Sequence, residues 1–289
     1  MITVRGDTMP LIDAHCHVNW MGWTIRDVYD HFRSLGVDRA VVLSWEELIR
    51  RQAGEYVLPV EDCQYAQRMF PNFFIPFAAP DPKMPGALGK LKSLLNSWAK
   101  GVGEYKFRYP LDDPDTLHVF EVANEAGVPV LIHIDIMLKP GGMWYNLDAH
   151  KLAEICPRFP KVSFLGHAPG FWRHVSGDAD DPEVIANDGN YPKTVPTAGG
   201  KLHDWFEQVP NLYGELSAGS ALNAIRRHED GGKAFLERHR DKLLYATDDY
   251  NRVLLDHLLG LELEQETYHK LFYQNACKVL KLDADELAL

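Results

Sequence analysis

The 289-residue chain lacks several features that would place it quickly. No apolar run approaches the roughly 18 residues a membrane-spanning helix needs, so we expect no membrane partner. Lys and Arg (30) are outnumbered by Asp and Glu (41), no basic run breaks the pattern, and the net charge is −11. A phosphate-backbone partner is disfavoured by that balance, and no nucleic acid is expected. Cysteine is scarce: Cys16, Cys63, Cys156 and Cys277 lie far apart and form no C-x-x-C. This speaks against a zinc ribbon or a disulfide framework and for a reduced compartment. The opening "MITVRGDTMP" has no apolar signal-peptide region, and we expect a cytoplasmic protein.

Two further absences concern chemistry. The first strand-like run leads into "DAHCHVNW", not into a glycine-rich phosphate turn, which argues against a doubly wound nucleotide-binding sheet. Ser217 and Ser220, in "SAGSALN", lack a G-x-S-x-G elbow and read as strand-to-helix turn residues with a capping role.

What is present is an alternation. Eight short apolar runs occupy 11–18, 39–45, 72–80, 102–107, 129–135, 161–170, 211–219 and 242–249, each with the composition of a strand buried on both faces. Between them lie stretches of helical period, such as Val28, Phe32 and Leu35, or Leu88, Leu91, Leu95 and Trp98. "MFPNFF", "RFPKVS" and "QVPNLY" repeat one device: proline ends the helix and the next strand starts at once. The alternation predicts an α/β (β/α)8 TIM barrel, a single domain over 1–289. One long polar stretch, 173–200, is expected to be a lid or binding loop inserted after strand 6.

Polar residues recur at the ends of the predicted strands. His15 and His17 sit two apart on strand 1, on one face and about 7 Å from each other along the backbone. Strand 4 ends with Glu104 and Lys106, strand 5 with His133, strand 6 with His167 and strand 8 with Asp248. In a barrel these ends share one rim, where function collects. Polar groups inside apolar strands otherwise carry a desolvation cost. Neutral imidazoles and a carboxylate suit Zn²⁺ first, with Mn²⁺, Fe²⁺ or Co²⁺ as alternatives. Such an ion acidifies a bound water and polarises a substrate oxygen.

Read from end to end, Asp13-Ala14-His15-Cys16-His17, His133, His167, Asp248 and the tail "YHKLFYQNACKVLKL" resemble the amidohydrolase superfamily of metal-dependent barrels. Within it the chain looks most like the amidohydrolase-related branch, which includes decarboxylases of the aminocarboxymuconate-semialdehyde type. The resemblance implies His15, His17, His133 and Asp248 as ligands of one ion, with His167 unligated as base or electrophile. Other members bridge two ions at strand 4, and here Glu104 is the possible bridge, with a carboxylated Lys106 as its rival; one ion is favoured over two. Lys106, Arg108 and Trp172 are candidates for binding the substrate, a small molecule for which an anionic group is one option. The expected activity is hydrolysis of an ester, lactone or amide, with His167 and Asp248 catalytic; the alternative is non-oxidative decarboxylation of an aromatic or enol acid. A small phosphate ester and a purely structural metal rank below both. Homo-oligomer formation stays open. His174 and His203 flank the insertion within possible reach of the site, whereas His31, His118, His150, His228, His239, His257 and His269 are expected in solvent.

Overall fold

The computed structural model describes residues 1–51, 55–136 and 144–283. The barrel strands are β1 (Ile12–Cys16), β2 (Arg39–Val42), β3 (Phe74–Pro76), β4 (Val102–Tyr105), β5 (Val130–His133), β6 (Phe164–His167), β7 (Leu212–Glu215) and β8 (Leu243–Leu244). Each falls inside one of the eight predicted runs. They pair in parallel as two sheets, β1 to β3 and β4 to β8, in chain order.

Backbone hydrogen bonds join the two sheets into a ring. At the β3/β4 seam, Lys100 N donates to Pro76 O (2.8 Å) and Ala78 N to Gly101 O (3.0 Å). At the β8/β1 seam, Ala14 N donates to Tyr245 O (3.0 Å) and Asp248 N to His15 O (2.9 Å). Asp13 reinforces that closure: its carboxylate accepts from Thr247 N (3.1 Å) and Thr247 Oγ1 (2.8 Å). An antiparallel hairpin, Ile2–Val4 with Asp7–Met9, precedes the barrel.

Two apolar layers hold the ring. Ile12, Ala14, Val41, Leu43, Ile75, Leu131, Leu165 and Leu244 fill its interior, closed at one end by Ala276, Cys277 and Val279 of the last helix. A larger layer lies between strands and helices; it includes Val28 and Phe32 of α1 (Ile25–Ser34) and Leu91 of α3 (Ala87–Ser97), α2 being Val60–Met69. The remaining barrel helices used below are α4 (Pro114–Ala126), α5 (Lys151–Ile155), α6 (Lys201–Gln208) and α7 (Ala218–Arg226).

The insertion is more ordered than its composition predicts. It contains a 3-10 turn at Arg173–Val175 and a helix at Pro182–Asp188, whose Asp181 caps Glu183 N. It then runs beside α7, where Asn223 Nδ2 donates to Pro192 O (3.0 Å) and Arg227 Nη1 to Thr194 O (3.1 Å). Tyr191 is thereby set against Gly219, at the start of α7 and over the rim.

Candidate metal centre

Two register irregularities prepare the site. Ile12 and Ala14 face the barrel interior, yet Cys16 belongs to the outer layer, two residues further on. The β1–β2 register shifts between Asp13 and Cys16, and this exchanges the faces. His15 and His17 consequently point to the mouth with Cys16 turned away. In β4 the register shifts between Val102 and Tyr105. There Gly103 faces inward with φ +154, where a Cβ would stand 3.1 Å from Leu131 Cβ and 3.2 Å from Leu43 Cδ2. Glycine suits both the backbone and the space, and Glu104 next to it reaches the mouth.

The predicted residues of β1, β4, β5, β6 and the segment after β8 do meet. His15 Nε2 lies 3.2 Å from His17 Nε2. Asp248 Oδ1 is 3.1 Å from the first and 3.4 Å from the second. Glu104 stands between two imidazole pairs: Oε2 is 3.6 Å from His17 Nε2, and Oε1 is 2.6 Å from His133 Nδ1 and 3.7 Å from His167 Nε2. His167 Nε2 also lies 3.6 Å from Asp248 Oδ2. Three ligand groups of metal-binding size result here among the described residues, His15–His17–Glu104, Glu104–His133–His167 and, on the outer side, His15–His167–Glu215.

The second nitrogen of each imidazole is engaged away from this centre. His17 Nδ1 is 3.0 Å from Leu43 O, and His133 Nε2 is 3.2 Å from Asp135 Oδ1. His15 Nδ1 lies 3.4 Å from Glu215 Oε1, and His167 Nδ1 contacts the same oxygen. Ser217 Oγ donates to Glu215 Oε1 (2.8 Å) and lies 3.0 Å from His167 Nδ1. These contacts fix ring orientation and tautomer, as outer partners of ligating histidines do.

Burial alone would raise the pKa of every carboxylate here. For Glu215 it is outweighed by His167 and His15, and the pKa falls to about 2. Glu104 is held well below the carboxylate range by Lys106, His133 and His17, and Asp248 by His15, His17 and His167. Burial would likewise lower His15, but Asp248 and Glu215 raise it well above its usual value. Among the described residues, buried or half-buried Glu104, Asp135, Glu215 and Asp248 face one fixed cation, Lys106. A donor set of imidazoles and carboxylates with this excess negative charge fits a divalent cation.

The expectations for six residues are corrected. Arg108 does not face the mouth: Glu47, Glu55 and the Tyr145 hydroxyl (2.9 Å) take up its guanidinium. Trp172 is 1% exposed, packs against Gly214 and donates to Glu215 O at 3.1 Å. Ser217 precedes α7 without capping it through its side chain, because its hydroxyl serves Glu215 and His167. His239 is buried, not solvated, and pairs through Nε2 with His203 Nδ1 at 2.8 Å; His174 packs on His150 and Trp205. Lys106 does remain at the mouth, 4.5 Å from the Trp45 ring centre and 5.5 Å from that of Tyr145. Glu215 was overlooked in the sequence. It occupies the end of β7, the same position along its strand that drew attention to the others.

No family model matches this sequence, and no curated protein does. Solved structures match it over almost its whole length. An uncharacterized TIM-barrel protein from Bordetella bronchiseptica is 14% identical, with 96% of this chain and 100% of that one covered and a TM-score of 0.60. An amidohydrolase from Burkholderia multivorans with bound zinc is 11% identical over 95% of this chain and 100% of its own, at a TM-score of 0.59. A 5-carboxyvanillate decarboxylase from Novosphingobium aromaticivorans, complexed with manganese and 4-hydroxy-3-methoxy-5-nitrobenzoic acid, is 16% identical; the match covers 88% of this chain and 79% of that one at a TM-score of 0.56. This chain therefore has the barrel fold shared by metal-loaded amidohydrolase and decarboxylase structures.

Proposed function

We propose that the protein is a metal-dependent hydrolase of the amidohydrolase superfamily that cleaves an ester, lactone or amide in a small anionic molecule. The observation that carries this reading is the orientation of four imidazoles. Each has one nitrogen turned to an outside acceptor and the other turned toward Glu104 or Asp248. His15, His17 and Asp248 would hold one ion. Glu104, within reach of both imidazole pairs, supports a second ion held with His133 and His167, in place of the single ion favoured by the sequence. Zinc is our first choice. The bound metal would supply an acidified water and a polarised carbonyl.

The residues divide the remaining work. Asp248, ionised at neutral pH, accepts the proton of the attacking water and returns it to the leaving group. Glu215 keeps His15 and His167 in place. Lys106, between the Trp45 and Tyr145 rings, pairs with an anionic group of the substrate. Tyr191 closes the rim from the insertion; burial and the carboxylates Asp248 and Asp135 raise its pKa, so it offers a neutral hydroxyl.

The test is a panel of lactones, esters and amides, with elemental analysis of the protein. Turnover that disappears with a chelator and returns with Zn²⁺, with two ions held at the barrel mouth, is the expected result. Activity indifferent to chelation would reject the proposal. Lys106 beside two aromatic faces also suits an aromatic acid, which keeps a carboxy-lyase as the second reading; release of CO₂ without water uptake would select it. Among the described residues no helix is long and apolar enough to cross a membrane. We place the enzyme in the cytoplasm, without a nucleic-acid partner.

A further inference from the structure

Away from the barrel mouth, three side chains able to bind a metal meet where the loops after β5 and β6 touch. His150 directly precedes α5, His174 lies in the 3-10 turn after β6, and Asp180 is on the insertion. His150 Nε2 is 2.9 Å from Asp180 Oδ2. The His150 and His174 rings are 4.7 Å apart at 70°. One ligand atom from each residue lies within 4.8 Å of the other two.

His174 separates this cluster from an ordinary surface ion pair. It is 3% exposed, and its Nδ1 has no hydrogen-bond partner. A buried polar atom without a partner calls for an explanation, and a bound ion is one that supplies it.

We propose that His150, His174 and Asp180 form an additional divalent-metal site, distinct from the barrel centre and of the zinc class. Two imidazoles and a carboxylate supply three ligands, and water takes the remaining position. Ligands of a tetrahedral zinc site stand about 3.3 Å apart, so the His150–Asp180 pair is nearly set and the His174 ring closes by a small movement. The ion would tie the chain entering α5 to the root of the insertion that carries Tyr191 to the rim. Its role is structural: it holds a loop and does not contact substrate.

The experiment is titration of metal-stripped protein with Zn²⁺ alone, read by equilibrium dialysis and elemental analysis. Wild type is compared with His150→Gln and Asp180→Asn. Both side chains are largely exposed, at 44% and 65%, so both variants fold, as circular dichroism will verify. We expect each to lose one equivalent or to bind it at least about tenfold more weakly. The same loss is expected in a His15→Gln/His17→Gln background, which separates this site from the barrel centre. Unchanged stoichiometry and affinity in both variants would overturn the proposal.

Discussion

At the scale of single residues, the site depends on how each imidazole is held. Asp248 contacts His15, His17 and His167 from a left-handed backbone, φ 59, that Asp tolerates better than most residues. On the proposed reading, Asp248→Asn removes both a ligand and a proton acceptor. We expect kcat to fall by about 10²- to 10⁴-fold, with lower metal content by elemental analysis. Glu215→Gln should act through its neighbours: it leaves Lys106 and the substrate pocket intact and loosens His15 and His167 together. A loss of about 10- to 100-fold in metal affinity or kcat with little change in KM is expected; a change confined to KM would contradict the positioning role. The histidines, Glu104 and Asp248 were legible because a polar residue at the end of an apolar strand stands out against its surroundings. Glu215 stands out in the same way in "NLYGEL" and had no partner in the sequence to support it. Arg108 and Trp172 misled for a different reason: their nearness to strand ends gave no sign of Glu47, Glu55 and Gly214, the groups that occupy them.

At the scale of elements, the strand ends were readable and the bulges were not. Eight apolar runs mark the strands through composition. A register shift depends on how two strands meet, so the exchange of faces in β1 and the displacement in β4 leave no trace in either strand alone. The β8/β1 seam can be tested directly. Thr247 donates to Asp13 through both its backbone and its hydroxyl, in a buried setting. Thr247→Val keeps the shape and leaves Asp13 Oδ2 short of a donor. We expect a destabilisation of about 1–3 kcal/mol, measured by urea unfolding. The loss of stability should be accompanied by weaker metal binding, because Asp248 follows at once. A variant as stable as wild type would show that the seam does not need this bond. The insertion was recognised by its polarity, but its helix and its attachment to α7 come from contacts with a neighbour distant in sequence.

For the molecule as a whole, acid stability follows from buried histidines. His239 has its pKa lowered to about 4, chiefly by burial, and its partner His203 is lowered in the same way. In the unfolded chain the same groups titrate near 6.5. Between those values the unfolded state binds more protons than the folded one, so these residues make stability fall as the pH drops from about 6.5 to 4 and leave it unchanged above that window. Urea midpoints from pH 7.5 to 4.5 should show the decline. It should be shallower in His239→Phe, whatever that variant's absolute stability; an identical slope would remove His239 from the account.

The closing contact between Asp13 and Thr247 spans 234 residues. His15 is made well before Asp248. Until Asp248 has emerged from the ribosome, His15 and His17 have Glu104 within reach but lack the carboxylate that stands 3.1 and 3.4 Å from them in the closed barrel. An ion held as proposed by His15, His17 and Asp248 can bind only after Asp248 has been made, and products of translation that stop before it will carry the opening motif without the centre.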